Sequence, residues 1–321
     1  MTTRRPLGLL AVGLAMAMSL PALLLAAACS DDDGAASDRL PEAPGWRTTA
    51  LQGRPSAIAI AADGEVLVVD DGQGLLQRIG VEPEPEVDPG LAPGGALVGV
   101  AEAGGGVWVI LAQGSAVRVG QPAVSATLGG TLVDVVGAGD VLYVGDLETG
   151  VVHEVDAATG AVRRTLAVPG GVVRLALDGP RLWVSGTERT VTAVDLATGT
   201  PGPPVEVGNG PIGLAVADGT VWVANGDDGT VSRLDAATGA RRGPDIAVGS
   251  GPIAVEVHGD DVWVLDQDSS ELTHLRASTG RVVDTTALPP ELTRARDLAV
   301  APEGVYVVGV DAPVLAFLPT T

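Results

Sequence analysis

The residues of this 321-residue chain best suited to chemistry are a few charged side chains set into small, apolar segments. Triplets of the kind Val-Trp-Val recur along the sequence, and nine residues before three of their centres stand Asp134, Arg174 and Asp297, where the corresponding Gly213 and Ala254 are small. Glu256 lies seven residues before Trp263, and Arg294 and Arg296 lead into the segment of Asp297. Charged groups converging at a narrow centre are costly if dry, so they must pair, meet water or hold a ligand. Two uses follow: an internal bridge from Arg174 to Asp134 between neighbouring repeats, or a mixed-charge mouth that orients a small polar ligand or a peptide end. Glu256-Val257-His258 also puts a carboxylate and an imidazole on one face of a strand, an arrangement able to serve acid–base chemistry or a divalent cation. His258 abuts the turn Gly259-Asp260, however, which places it toward solvent. His153 and His274 fall in other repeats, far from sharing a site, and no G-x-S-x-G, Walker or H-E-x-x-H motif occurs.

The elements that must position these residues are repeats. The triplets are centred on Leu67, Trp108, Tyr143, Trp183, Trp222, Trp263 and Tyr306, 35 to 43 residues apart. A period near forty in a chain of β-formers punctuated by Gly and Asp predicts propeller blades of four short strands, and the i, i+3, i+4 pattern of helical solenoids is missing. The fifth unit is the clearest. Pro211 to Val216 reads as an inner strand, Asp218-Gly219 as a hairpin turn, Thr220 to Ala224 as the second strand and Thr230 to Leu234 as the third. Asp235 to Gly239 then turns into an outer strand ending at Val248. The D-x-x-T-G turn recurs at Asp156 to Gly160 and Asp195 to Gly199, and in diluted form at Ala277 to Gly280. The Asp accepts backbone N–H bonds and the Gly supplies positive φ. The aromatics share one mid-strand position, which predicts packing between blades rather than sugar platforms.

The seventh unit has room for three strands before Thr321, whereas Trp46 to Pro55 parallels the outer strand and link of other units. The expectation is an all-β, seven-bladed β-propeller over residues 46–321, with the N-terminal strand completing the last blade and leaving no open edge between the ends. The loops between second and third strands are acidic, for example Asp70-Asp71-Gly72 and Asp266-Gln267-Asp268. They are expected to be mainly solvated, with attraction of cations or a basic peptide as the alternative.

The phrases GNGPIGLAVADGTVWVANGDDGTVSRLDAATGA and GSGPIAVEVHGDDVWVLDQDSSELTHLRASTGR resemble the YVTN, NHL and virginiamycin-B-lyase-like class of bacterial β-propellers. The resemblance spans nearly all of Trp46 to Thr321 and is weakest over the acidic Pro-rich stretch Val81 to Pro93. It implies a binding platform, an envelope lipoprotein or, as in the lyase, a metal-assisted enzyme. The lyase's metal-binding His and Glu cluster does not carry over, because this chain has three His in all.

At the N-terminus, Arg4-Arg5 precede the apolar run Leu7 to Ala28, which ends in small residues before Cys29, the only Cys in the chain. The segment resembles a bacterial lipoprotein signal, with residues 1–28 removed and Cys29 acylated; the place three before Cys29, where the class prefers Leu, is Ala26. Residues 29–45 are acidic, small and Pro-containing, as expected of a solvated tether. Acidic residues number 40 against 19 basic, giving a formal charge of -21, and no basic cluster exceeds two residues, which excludes nucleic acid as a partner class. The sequence therefore describes a secreted, lipid-anchored, monomeric propeller at the cell envelope that binds or scaffolds a protein, peptide or small polar ligand without a cofactor. Its enzymatic alternative is a lyase or hydrolase using Glu256 and a divalent cation.

Overall fold

The computed structural model describes residues 45–80, 86–88, 95–292, 294–310 and 312–320. The expected signal segment, Cys29 and the expected tether through Pro44 lie outside the described residues, as does most of Val81 to Pro93. All regular elements described are strands, and they form seven sheets, each running from an inner to an outer strand.

The blades follow the repeats. Blade three shows the four-strand pattern in full, with strands Leu132–Ala138, Val141–Asp146, Val151–Asp156 and Val162–Ala167 in order. In blade five the inner three strands, Pro211–Ala217, Thr220–Asn225 and Thr230–Asp235, match expectation, but the outer one shrinks to Ile246–Ala247. In blade four the outer strand is split into Thr200–Pro201 and Val205–Glu206. The interruption is Gly202-Pro203-Pro204, where two consecutive residues lack the N–H a ladder needs.

Blade seven closes the ring. Its strands Ala295–Ala301, Gly304–Gly309 and Val314–Pro319 are completed by Arg47–Ala50, which pairs antiparallel with Val314–Pro319 from Arg47 opposite Phe317 to Ala50 opposite Val314. Trp46, just before this strand, is 2% exposed and donates its indole N–H to the Ala287 carbonyl of blade six at 3.0 Å.

The core sits between blades, because each second strand presents alternate faces to two neighbours. Trp108 shares a buried cluster with Leu132 and Val135 of blade three, Trp183 with Leu214 and Val221 of blade five, and Trp222 with Val255 and Val262 of blade six. Trp263 belongs with Leu298 and Val305 of blade seven. The repeated aromatic is thus the plug of each inter-blade seam, as its sequence position predicts.

Candidate functional site at the propeller centre

The inner strands carry a common irregularity. In blades one, two, three, five, six and seven the ladder to the second strand slips by one residue near its start, just before Ala57, Gly99, Asp134, Gly213, Ala254 and Asp297. Such a bulge re-aims the side chain that follows it. Those six residues, with Arg174 opposite Ser185 in blade four, occupy the same place in all seven blades and form one ring around the axis. Two residues further on lies a second ring: Ala59, Ala101, Val136, Ala176, Ala215, Glu256 and Ala299, each opposite the central residue of its second strand. Glu256 is its only polar member. At the centre is a cavity of about 300 Å³, lined by Asp134, Arg174, Glu256 and Asp297 among small and branched apolar residues.

The two ring aspartates do the same work. Asp134 accepts the N–H of Val135 at 3.0 Å and, across the seam, that of Leu175 in blade four at 2.7 Å. Asp297 accepts the N–H of Leu298 at 3.1 Å and that of Ile58 in blade one at 3.2 Å. Arg174 stands 3.6 Å from Asp134, so the internal bridge is present, and it shares the cavity with the other charges. Burial pushes the carboxyls of Asp134 and Asp297 above the ordinary range, with Arg174 opposing. Burial likewise pushes Glu256 up to about 8, reinforced by Asp297 and opposed by Arg174. Although burial disfavours the charge on Arg174, its three acidic neighbours hold it firmly protonated.

Other candidates lie apart. Arg294 and Arg296 are exposed and outside the cavity lining; Arg296 helps to lower Asp297 only at a distance. His258 is exposed at the hairpin, two residues along the strand from the cavity group Glu256. His274 is stacked on Trp263 with ring centroids 4.1 Å apart and lies 2.6 Å from Asp261, while His153 is buried in blade three. Among the described residues no group of three or more His, Cys, Asp or Glu is placed to hold a metal ion, and the histidines do not join Glu256, so the donor set does not fit the lyase-type metal site.

The acidic loops contain a group that sequence reasoning misplaced. The acids expected to be mainly solvated include Asp70, Asp146 and Asp266, which end their second strands and are buried, at 0%, 1% and 0% exposure. Asp146 accepts the N–H of Thr131 at 3.0 Å, that of Glu148 at 2.9 Å and the Thr149 hydroxyl at 2.5 Å. Against the cost of burial these bonds hold its carboxyl below the usual range. Asp70 accepts the N–H groups of Arg54, Gly72 and Gln73. Both therefore tie the link entering the inner strand to the loop leaving the second. The sequence signal for this was glycine: a Cβ at Gly53 or Gly130 would collide with the carboxylate of Asp70 or Asp146. Asp266 accepts the Thr273 hydroxyl at 2.5 Å, and burial lifts it to about 6. Asn225 holds the same place in blade five, donating to Thr230 at 3.0 Å and Ser232 at 2.9 Å.

On the opposite face the D-x-x-T-G turns behave as expected. Asp235 accepts the N–H of Ala237 at 3.1 Å, and the N–H and hydroxyl of Thr238 at 2.9 and 2.8 Å, and Asp156 repeats this with Ala158 and Thr159. In blade six, where Arg276 stands at the Asp place, Asp260 of the preceding hairpin accepts the Ser278 N–H at 2.6 Å instead.

Residues 148–317 match the family model PQQ_2, described as outer membrane protein assembly factor BamB. No curated protein matches the sequence. Among solved structures, the selenomethionine-substituted virginiamycin B lyase from Staphylococcus aureus superposes with a TM-score of 0.75 at 12% identity, covering 86% of this chain and 99% of that one. A streptogramin B lyase gives 0.75 at 11% identity, covering 86% and 97%. A chain of the mitotic checkpoint complex gives 0.75 at 16%, covering 91% and 99%. At these identities the likeness is one of fold.

Proposed function

This chain belongs to the PQQ_2 family, described as outer membrane protein assembly factor BamB, and from that premise we propose that it is an envelope-associated propeller that binds rather than transforms. In this reading Cys29 carries the acyl anchor, residues 29–45 form the tether, and the propeller holds a partner protein, a peptide end or a small polar ligand. Two or three acyl chains give a stable hold, since each buried CH2 contributes about 0.8 kcal/mol. The observation that carries the binding reading is the central cavity, where Arg174, Glu256, Asp134 and Asp297 converge on an otherwise apolar wall. Such a setting, a shaped apolar pocket with few convergent polar groups, suits ligand orientation. The aspartates' bonds to backbone N–H groups favour a rigid platform over proton transfer, which needs a carboxylate free to exchange.

The anchor and the platform are tested together. Metabolic labelling with a palmitate analogue, membrane fractionation and affinity capture from membranes compare the parent chain with Cys29→Ser. The expected result is loss of label and release of the variant, with the parent retaining its partner on membranes. Unchanged membrane retention of Cys29→Ser would refute the anchor.

A further inference from the structure

We propose that the central cavity is a site for an organic monocation, a primary ammonium or guanidinium on a short apolar stem, with Glu256 as its anchor. The inference rests on the channel being a ligand site and names what it takes.

The charge count points to a cation. Three carboxyls, on Asp134, Glu256 and Asp297, face one guanidinium, on Arg174. Asp134 and Asp297 are each engaged by two backbone N–H groups, and Arg174 is paired with Asp134 at 3.6 Å. Glu256 is differently placed. It takes the N–H of its neighbour Val257, and among the described residues it has no ion pair or side-chain hydrogen bond. The site thus holds more half-buried carboxyl groups than cations to offset their ionisation, and its least engaged member is the one side chain that stands out of an alanine and valine ring. Ionising a carboxyl there without a partner is costly, and a cation is what offsets that cost.

The shape selects the kind of cation. A cavity of about 300 Å³ is at the small end of ligand pockets and has room for an amine with a few carbons beside the alanines. Calcium or magnesium would need six or more oxygen ligands and zinc three or four protein ligands, and no three His, Cys, Asp or Glu groups among the described residues are placed to supply them. Arg174 would also repel a double charge. The same burial that raises Glu256 to about 8 means that a cation docking near neutral pH ionises it and releases its proton. Asp134, Asp297 and Arg174 are the charged groups that face it, and His258 lies beyond it at the exposed end of the strand.

The test uses the full chain in detergent and calorimetric titration with n-butylammonium, 1-butanol and butyrate as probes at pH 7, in two buffers of different ionisation heat. Saturable binding of butylammonium with proton release is expected, with no binding of butanol and at least tenfold weaker binding to Glu256→Ala. That variant places alanine where blades one, two, four, five and seven already have it, so it should fold; Glu256→Gln provides an isosteric second variant. A capped lysine peptide forms a separate arm: tighter binding than butylammonium identifies a peptide-borne cation, and weaker binding a free amine. Butyrate binding as well as butylammonium would overturn the cation while leaving the channel as a ligand site. Binding unchanged in Glu256→Ala and in Arg174→Ala, or no binding of any probe, would overturn the channel site itself.

Discussion

The carboxylate of Asp297, on the last inner strand of the chain, accepts the backbone N–H of Ile58, on the first, at 3.2 Å. Blade seven is therefore joined to blade one at the axis as well as closed at its outer edge by Arg47–Ala50. The bond copies that of Asp134 to Leu175, so one device serves both an ordinary seam and the seam where the chain ends meet.

Removing this device should loosen the closing seam. Asp297→Ala leaves the N–H groups of Ile58 and Leu298 without their acceptor, a loss of about 1–3 kcal/mol. Asp297→Asn keeps an amide oxygen for one of them and should recover most of it. Urea unfolding of the three proteins checks this, and equal stability of Asp297→Ala and the parent would show that the bond contributes nothing to closure.

The outer closure rests on Trp46. Its ring lies in the cluster of Leu265, Leu298 and Val305, and its N–H reaches Ala287. Trp46→Ala should cost about 3–5 kcal/mol, as expected of a large buried aromatic. Deleting residues 46–51 should in addition broaden the unfolding transition, because blade seven would lose its fourth strand. A deletion variant that unfolds with the parent's midpoint and slope would refute the closure.

Much of this architecture is legible in the chain itself. Six aromatics at one repeat position mark the second strands, and Trp46 and Phe317 mark the ends that meet. Counting back from those aromatics finds Asp134, Arg174 and Asp297, although in blade one a longer hairpin moves the ring position to Ala57 rather than Ile58. What composition hides is the fate of acids. Asp70, Asp146 and Asp266 read as loop charges, yet each is drawn inward by unpaired N–H or hydroxyl groups, and only the adjoining glycines hint at the close approach. Arg296 illustrates the converse. It is the extra residue of the bulge before Asp297, unmatched in the ladder, and it is exposed while its neighbour lines the cavity.

Asp266 should betray itself in the pH dependence of stability. Its folded value of about 6 exceeds the ordinary 3.8, so the folded state holds the proton more tightly than the unfolded chain. Stability from this group is full below pH 4 and falls as pH rises through 6. Asp266→Asn cannot ionise, and Asn225 shows that an amide is accommodated at this place. The variant should match the parent near pH 4 and exceed it by about 1–3 kcal/mol at pH 7. Urea midpoints at pH 4, 5, 6 and 7 decide the matter; parallel curves would mean that Asp266 ionises without penalty.

Glu256 acts over a higher window, and the two can be separated. Its folded value near 8 stands well above the ordinary 4.5, so its ionisation weakens the fold progressively between those limits and most visibly above pH 6, where Asp266 has already titrated. In an Asp266→Asn background, Glu256→Ala should therefore leave stability almost unchanged at pH 4.5 and raise it by roughly 2–4 kcal/mol at pH 8. The gain arises because alanine restores the uniform ring of blades one, two, four, five and seven and removes the carboxyl that Asp297 repels. Thermal and urea unfolding across pH 4.5–8.5 supply the measurement. A variant less stable than its background at pH 8 would show that Glu256 is held by a favourable partner, and a gain equal at both ends of the range would assign the effect to packing rather than charge.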